Sequence, residues 1–167
     1  MNPELEKKVD QVFLASQQRL ATRAKHAEEQ SRLRAAFEKD YLKAIQEVIL
    51  PACSEYAEMI IRKGRKCVVT SGWPTGESKE KWRGDQINFH LDVSDVYPGF
   101  SGSSLLLLPR VSFMSDTNLM RVRADRHASS VNGSPFIDSH RNFNIADLSP
   151  AKIHEELTEF IVQLIQN

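Results

Sequence analysis

The longest stretch of this sequence without a proline or glycine lies between Pro3 and Pro51. Proline after asparagine, followed by two glutamates, is typical of a helix start, because proline needs no amide hydrogen bond there and acids favour the positive end of the helix dipole. Apolar residues then recur every three or four positions, and this spacing continues past Pro51 as far as Gly64. The sequence therefore predicts helical structure over residues 3–63, ended by a glycine cap.

The length of this segment constrains the fold. As one straight helix, residues 3–63 would measure about 90 Å at 1.5 Å per residue, whereas a compact chain of this size has a radius of gyration of about 15 Å. In one arrangement the helix breaks in the weakly apolar stretch 25–32, kinks at Pro51 and folds back as a hairpin. In the other, its first half projects and packs on a partner or on a second copy. We favour the second arrangement, in which the helix is a docking element.

The first half of the helix carries an apolar stripe suited to docking. Phe13, Leu20 and Ala27 are seven residues apart, but Arg34 occupies the next position, so the pattern is too short for a convincing coiled coil. The helical residues predicted to contact a protein partner are Leu5, Val9, Val12, Phe13 and Leu20.

Two tryptophans, Trp73 and Trp82, bracket a long polar loop after the helix. Exposed indoles would extend a partner-binding surface, whereas buried indoles would cover the open end of a sheet. We include both residues in the predicted partner-binding set.

After Gly64 the apolar period changes from about 3.6 to 2, which indicates strands. Strand patterns are KCVVTS, QINFHLDV, SSLLLLP, RVSFM and LMRVRAD, followed by a loop over residues 127–139 and a last short strand in HRNFNIADL. Ser149 and Pro150 then begin an amphipathic helix.

The predicted fold is accordingly α+β: a long kinked or broken N-terminal helix, an antiparallel meander of four to six strands, and a C-terminal helix packed on the sheet. We assign residues 1–63 to the helical arm, whose second half packs on the sheet. Residues 64–148 form the sheet, and 149–167 form the last helix of the same domain.

Histidines and aspartates in the strand region are the candidates for chemistry. In INFHLDVSD, alternation places His90 and Asp92 on one face, where a carboxylate could orient the imidazole, although exposed polar faces are usual for half-buried strands. His127 and His140 flank a glycine-containing loop and could approach each other if it folds over the sheet. No spacing matches a metal-binding or nucleophile motif. We therefore lean against an enzyme and expect no cofactor or metal, with a small hydrolase or transferase as the alternative.

Charge and composition narrow the classes of partner. The 22 basic and 22 acidic side chains balance, so weak nucleic-acid binding through Arg121, Arg123, Arg126 and Arg141 ranks last. The sequence shows no signal peptide or long apolar run, which predicts a cytoplasmic protein without a membrane contact. Both cysteines, Cys53 and Cys67, are expected to be reduced core residues. The leading prediction is a non-enzymatic adaptor, immunity-type or regulatory subunit that binds a protein partner or itself.

Overall fold

The computed structural model describes residues 3–72, 86–94, 108–128 and 137–166. The chain divides into two compact units, Met1–Phe37 and Glu38–Asn167. The first unit consists of the N-terminal part of helix α1, Pro3–Ala44. The second unit contains the end of α1 and all the remaining elements.

Helix α1 is continuous from Pro3 to Ala44, so the predicted break within residues 25–32 is wrong, and so is the hairpin that depends on it. The stretch has few large apolar residues, but it consists mainly of alanine, arginine, lysine, glutamate and glutamine, which are strong helix formers. An ion pair of 2.9 Å between Glu29 and Arg32, one turn apart, supports the same segment.

The predicted disturbance at Pro51 takes the form of a π-helical turn over Ile45–Ile49, followed by helix α2, Leu50–Arg62. Proline has no N–H to donate to the carbonyl of Glu47, four residues earlier, so the regular hydrogen-bond ladder cannot continue. In the wider turn, the backbone N–H of Leu50 instead donates to the carbonyl of Ile45. The helical path therefore passes the proline with a local change of hydrogen bonding.

The end of α2 confirms the predicted glycine cap. Gly64 has a φ of +81°, in the left-handed region that favours glycine. Its N–H donates to the carbonyl of Ile61 at 2.9 Å, and the N–H of Arg65 donates to that of Ile60 at 3.2 Å. This pair of bonds satisfies carbonyls that the helix end would otherwise leave unpaired.

The described strands form one antiparallel sheet in the order β1-β2-β3-β4-β5, which confirms the predicted meander. Their bounds are Lys66–Ser71 for β1, Ile87–Asp92 for β2, Arg110–Asp116 for β3, Arg121–Ala128 for β4 and Ile137–Phe143 for β5.

The predicted loop over residues 127–139 is wrong at both ends. His127 pairs with Asp138 and Ala128 pairs with Ile137, so the ladder between β4 and β5 extends into both ends of the segment. Residues 129–136 lie outside the described residues, as do residues 103–107 of the predicted strand SSLLLLP. The last predicted strand ends at Phe143, and a 3₁₀ turn over Ile145–Asp147 follows it.

Helix α3, Pro150–Gln166, begins as predicted, with the Ser149 hydroxyl accepting a hydrogen bond of 3.3 Å from the N–H of Lys152. Helix α2 packs on β1, β2 and α3. We name the side of the sheet that these helices cover the helix-covered face. Its core includes the fully buried side chains Tyr41, Ile49, Phe89, Phe113, Leu157 and Phe160.

Candidate functional site

Helix α1 exposes large apolar side chains along the first unit. All the residues from 7 to 36 are exposed to solvent. Among the predicted docking residues, Val12 is 68% exposed, Phe13 65%, Leu20 61% and Val9 46%. At about 100° per residue these four side chains fall within an arc of about 100° on one side of the helix. We name this set the apolar stripe, and nothing is described for the side chain of the fifth predicted residue, Leu5.

Leu14 is also exposed, to 57% of its surface, but it lies about 140° around the helix from Val9. The helix therefore offers an apolar residue of similar exposure outside the stripe. The predicted contacts Trp73 and Trp82 lie outside the described residues.

The opposite side of the sheet from the helix-covered face is lined by polar side chains in rows, because directly paired residues of antiparallel strands point to the same side. We name it the polar sheet face. One row crosses all five strands through Thr70, Asn88, Ser112, Asp125 and His140. The adjacent row runs through Val68, His90, Arg110, His127 and Asp138.

The predicted exposure of His90 is wrong: His90 and Asn88, two residues earlier on the same side of β2, are both buried. Asn88 is 0% exposed and His90 1%. The Asn88 amide donates a hydrogen bond of 2.7 Å to the carbonyl of Gly72 and accepts one of 2.7 Å from Gln86. Because these partners replace water, the amide of Asn88 can be buried with its hydrogen bonds satisfied.

His90 and Asp92 each have a different neighbour in the structure. The Nε2 atom of His90 lies 3.3 Å from the Oγ1 atom of Thr70 on β1. The Asp92 carboxylate accepts a hydrogen bond of 2.9 Å from the backbone N–H of Ser94. Hydrogen bonds from the side chain and backbone of Ser94 hold the pKa of Asp92 below its usual value. Asp92 thus stabilises the turn after β2.

His127 and His140 lie on the polar sheet face through strand pairing, without any fold-over of a loop. His127 is opposite Arg110 on one side and Asp138 on the other, and His140 is opposite Asp125. The two histidines are diagonal neighbours on adjacent strands, a relation that corresponds to roughly 7–8 Å. Partial burial and the charge of Arg110 lower the pKa of His127, while Asp138 acts in the opposite direction.

The four predicted anion-binding arginines are divided between the two sides of the sheet. The register places Arg121 and Arg123 on the polar sheet face, and Arg126 and Arg141 on the helix-covered face. Arg123 pairs with Asp125 beside it. Arg126 is only 6% exposed. The four guanidinium groups therefore do not form one continuous surface.

A buried ionic cluster between β4 and α3 was missed by reasoning from the sequence. The Arg126 guanidinium donates to Glu156, to Glu159 at 2.7 Å and to Gln163 at 3.1 Å. Arg141 reaches Glu159 at 3.2 Å from the neighbouring strand. Two features of the sequence pointed to this cluster: Arg126 occupies a position of β4 where the alternation places apolar residues, and Glu156 lies among the apolar positions of α3. A charged residue at such a position needs a partner, because burying a single charge is costly.

No protein-family model, curated protein or solved structure matches this chain. Within the described ranges, no helix is both long and apolar enough to cross a membrane. The same residues include no group of three histidine, cysteine, aspartate or glutamate side chains placed to bind one metal ion.

Proposed function

We propose that this protein is an interaction module that docks a helical protein partner through the apolar stripe of α1. The observation that carries the proposal is the exposure of Val12, Phe13 and Leu20, each more than 60%, on one side of a continuous helix. An amphipathic helix commonly binds by burying residues at this spacing in a groove or against a second helix.

The size of the stripe fits a reversible association. Full burial of one such side chain contributes about 1.5–3 kcal/mol, so four contribute roughly 6–12 kcal/mol. Association costs about 4–15 kcal/mol in lost translational and rotational freedom. Because the two quantities are similar, complex formation should depend strongly on protein concentration and on the loss of a single stripe residue.

The test compares two aspartate substitutions at neighbouring positions, Phe13→Asp in the stripe and Leu14→Asp outside it. Both replace an exposed apolar residue by the same charge in the same helix, so their effects on solubility and helix propensity are matched. The protein is purified from its source cells, and the mass of the native particle is measured by native mass spectrometry. Circular dichroism verifies that both variants keep the helix.

We expect the wild type and Leu14→Asp to have the mass of a complex, either with a second copy or with a defined second protein. Phe13→Asp should have the mass of one chain. Equal behaviour of the two variants would show that the stripe does not mediate docking. A wild type that is monomeric at every concentration and brings no second protein would overturn the proposal.

A second candidate function is acid–base chemistry on the polar sheet face. Its support is the juxtaposition of His127 with Asp138 and of His140 with Asp125, beside Arg110. A histidine with a lowered pKa is neutral at pH 7 and can accept a proton, while a guanidinium can hold an anionic substrate group.

Nuclear magnetic resonance with inorganic phosphate as the probe tests this second candidate. If the face binds an anionic group, the ring signals of His127 and His140 shift saturably, whereas those of His154 on α3 do not. Unchanged signals for both sheet histidines up to millimolar phosphate would remove the candidate.

A further inference from the structure

Strand β1 lies at one edge of the sheet, and among the described residues it pairs only with β2. The hydrogen-bond ladder fixes which backbone groups of β1 point outward. The N–H of Gly72 donates at 2.7 Å to the carbonyl of Gln86, just before β2, and antiparallel ladders alternate between bonded and non-bonded pairs. Cys67, Val69 and Ser71 therefore direct their N–H and C=O groups away from β2.

The hydrogen bonds on the other side of β2 agree with this phase. Leu91 is the partner of Cys67, and its N–H donates at 2.9 Å to the carbonyl of Pro109, just before β3. Leu91 and Cys67 therefore form a pair without mutual hydrogen bonds, as the alternation requires. The outward backbone groups of β1 are those to which a further strand can bind.

The two edge strands of the sheet differ in charge. Charged side chains commonly protect an exposed edge from pairing with another chain. Strand β5 has such side chains, since Asp138, His140 and Arg141 are all exposed. In β1 the stretch Cys67–Ser71 carries no charge, and Val68 exposes 43% of its surface. Strand β1 is therefore the edge that is open to pairing.

A cluster of basic side chains precedes β1, in the turn after α2. We name residues 62–66 the basic turn, and its exposed cations are Arg62, Lys63, Arg65 and Lys66. Asp92, the register partner of Lys66, and Glu58, one helical turn before Arg62, offset part of this charge. The start of the edge nevertheless keeps an excess of positive charge.

We propose that β1 binds an extended acidic segment of another protein, which adds a strand to this edge of the sheet. Backbone hydrogen bonds to Val69 and Ser71 supply the affinity, as in other cases of strand addition. A β-branched side chain of the segment packs beside the exposed Val68. Acidic residues of the segment lie beside the basic turn and select it among extended peptides.

A second copy of this chain fits the edge less well. In parallel pairing of two β1 strands the basic turns lie side by side, and like charges are destabilising. In antiparallel pairing about Val69, Lys66 lies opposite Gly72 of the second copy, which offers no charge. Pairing of β1 with β5 of a second copy leaves further edges free and continues as an open chain. Charge complementarity along the edge therefore favours an acidic segment of a different protein.

Amide hydrogen exchange, followed by nuclear magnetic resonance on the full chain, tests the proposal. The probe is a short synthetic peptide of alternating valine and threonine with glutamates at both ends, and the control peptide has lysines in their place. We expect the glutamate peptide to slow exchange of the Val69 and Ser71 amides saturably. The amides of Val68 and Thr70, which already face β2, should be unchanged.

Two pairs of variants separate the backbone contribution from the charge. Ser71→Pro removes an outward N–H at an exposed edge position, where proline is tolerated. It should weaken binding of the glutamate peptide about three- to tenfold, whereas Ser71→Ala keeps the N–H and should bind normally. Lys63→Glu should weaken binding roughly two- to tenfold, while Lys152→Glu, the same charge change on α3, should have no effect. Fluorescence anisotropy of the labelled peptide measures all four.

Peptide binding without slower exchange at Val69 and Ser71, or equal binding of the lysine peptide, would overturn the proposal. Failure of the glutamate peptide to bind up to millimolar concentration would overturn it as well. Slower exchange at the same two amides as the protein concentration rises, without peptide, would assign the edge to a second copy. The edge belongs to the second unit, so these results are independent of the docking function proposed for the apolar stripe.

Discussion

Arg126 of β4 donates a hydrogen bond to Glu156 of α3, and these side chains are 7% and 0% exposed. Further hydrogen bonds from the same guanidinium reach Glu159 and Gln163. The hydrogen bond to Glu156, followed by that to Glu159, raises the pKa of Arg126, and the hydrogen bond from Arg126 lowers the pKa of Glu159. Strand β4 and helix α3 are thus joined by a charged contact within the apolar interface.

Replacing Arg126 by methionine should lower the free energy of unfolding by about 3–5 kcal/mol, because it leaves the Glu156 carboxylate buried without its main partner. Urea unfolding followed by circular dichroism measures the change. Arg141→Met is the matched control. Its side chain is 48% exposed, so the same substitution there should cost at most about 1 kcal/mol.

The double variant Arg126→Met, Glu156→Met should be more stable than Arg126→Met alone, because no buried charge remains unpaired. A stability for Arg126→Met within experimental error of the wild type would contradict the assignment of this contact as a buried ion pair.

Local patterns in the sequence were sufficient to predict the long helical region, the antiparallel strands that follow it and the last helix. The change of period after Gly64, the Ser149–Pro150 start of α3 and the alternation in β2 each correspond to an observed feature. The continuity of α1 was harder to predict, because a helical period of apolar residues appears in a sequence only where one face of the helix is buried. The stretch around residues 25–32 is helical through intrinsic propensity while it is exposed on every side.

Site geometry depended on strand register, which alternation alone does not supply. The sequence predicted an approach of His127 and His140 only if a loop folds over the sheet, whereas pairing of His127 with Asp138 places them on one sheet face. Arg126 was likewise predicted to be one of the exposed arginines for nucleic-acid binding, because its partner Glu156 lies 30 residues further along the chain. Such long-range polar pairs carry no local signature beyond a charged residue at an apolar position.

Asn88 should be sensitive to loss of its amide donor. In Asn88→Ala the hydrogen bond to the carbonyl of Gly72 is lost, which should cost about 1–3 kcal/mol of unfolding free energy. Asn88→Asp loses the same donor and also places a carboxylate at a fully buried position, so it should cost more than Asn88→Ala. Gln86→Ala is the control. Gln86 is only half-buried, and its loss removes the hydrogen bond to the Asn88 oxygen but leaves the one from Asn88 to Gly72. Urea unfolding at pH 7 measures all three. Equal effects of Gln86→Ala and Asn88→Ala would argue against a specific role for the Gly72 contact.

The thiol of Cys53 should be unreactive in the folded protein, since burial raises its pKa to about 12. Relative to an ordinary thiol of pKa 9.0, the thiolate is about a thousandfold scarcer at pH 8, and the surrounding core excludes the reagent. Alkylation with iodoacetamide, followed by mass spectrometry, should therefore modify Cys53 rapidly only in urea. Rapid labelling under native conditions would show that α2 opens locally, and Cys53→Ala identifies the labelled site.

His127 should make the fold less stable as the pH falls from 7 to 5. Partial burial and the charge of Arg110 lower its pKa in the folded state below the ordinary histidine value of 6.5, and Asp138 offsets only part of this effect. Well above pH 6.5 the imidazole is neutral in both states and has no effect on stability. As the pH falls through 6.5 the unfolded chain binds the proton more readily than the folded one, so stability decreases until the pH passes the folded-state pKa. The variant His127→Gln should therefore show a shallower loss of stability over this range in urea unfolding. His140→Gln, on the exposed part of β5, is the control, and a pH dependence unchanged by His127→Gln would refute the assignment.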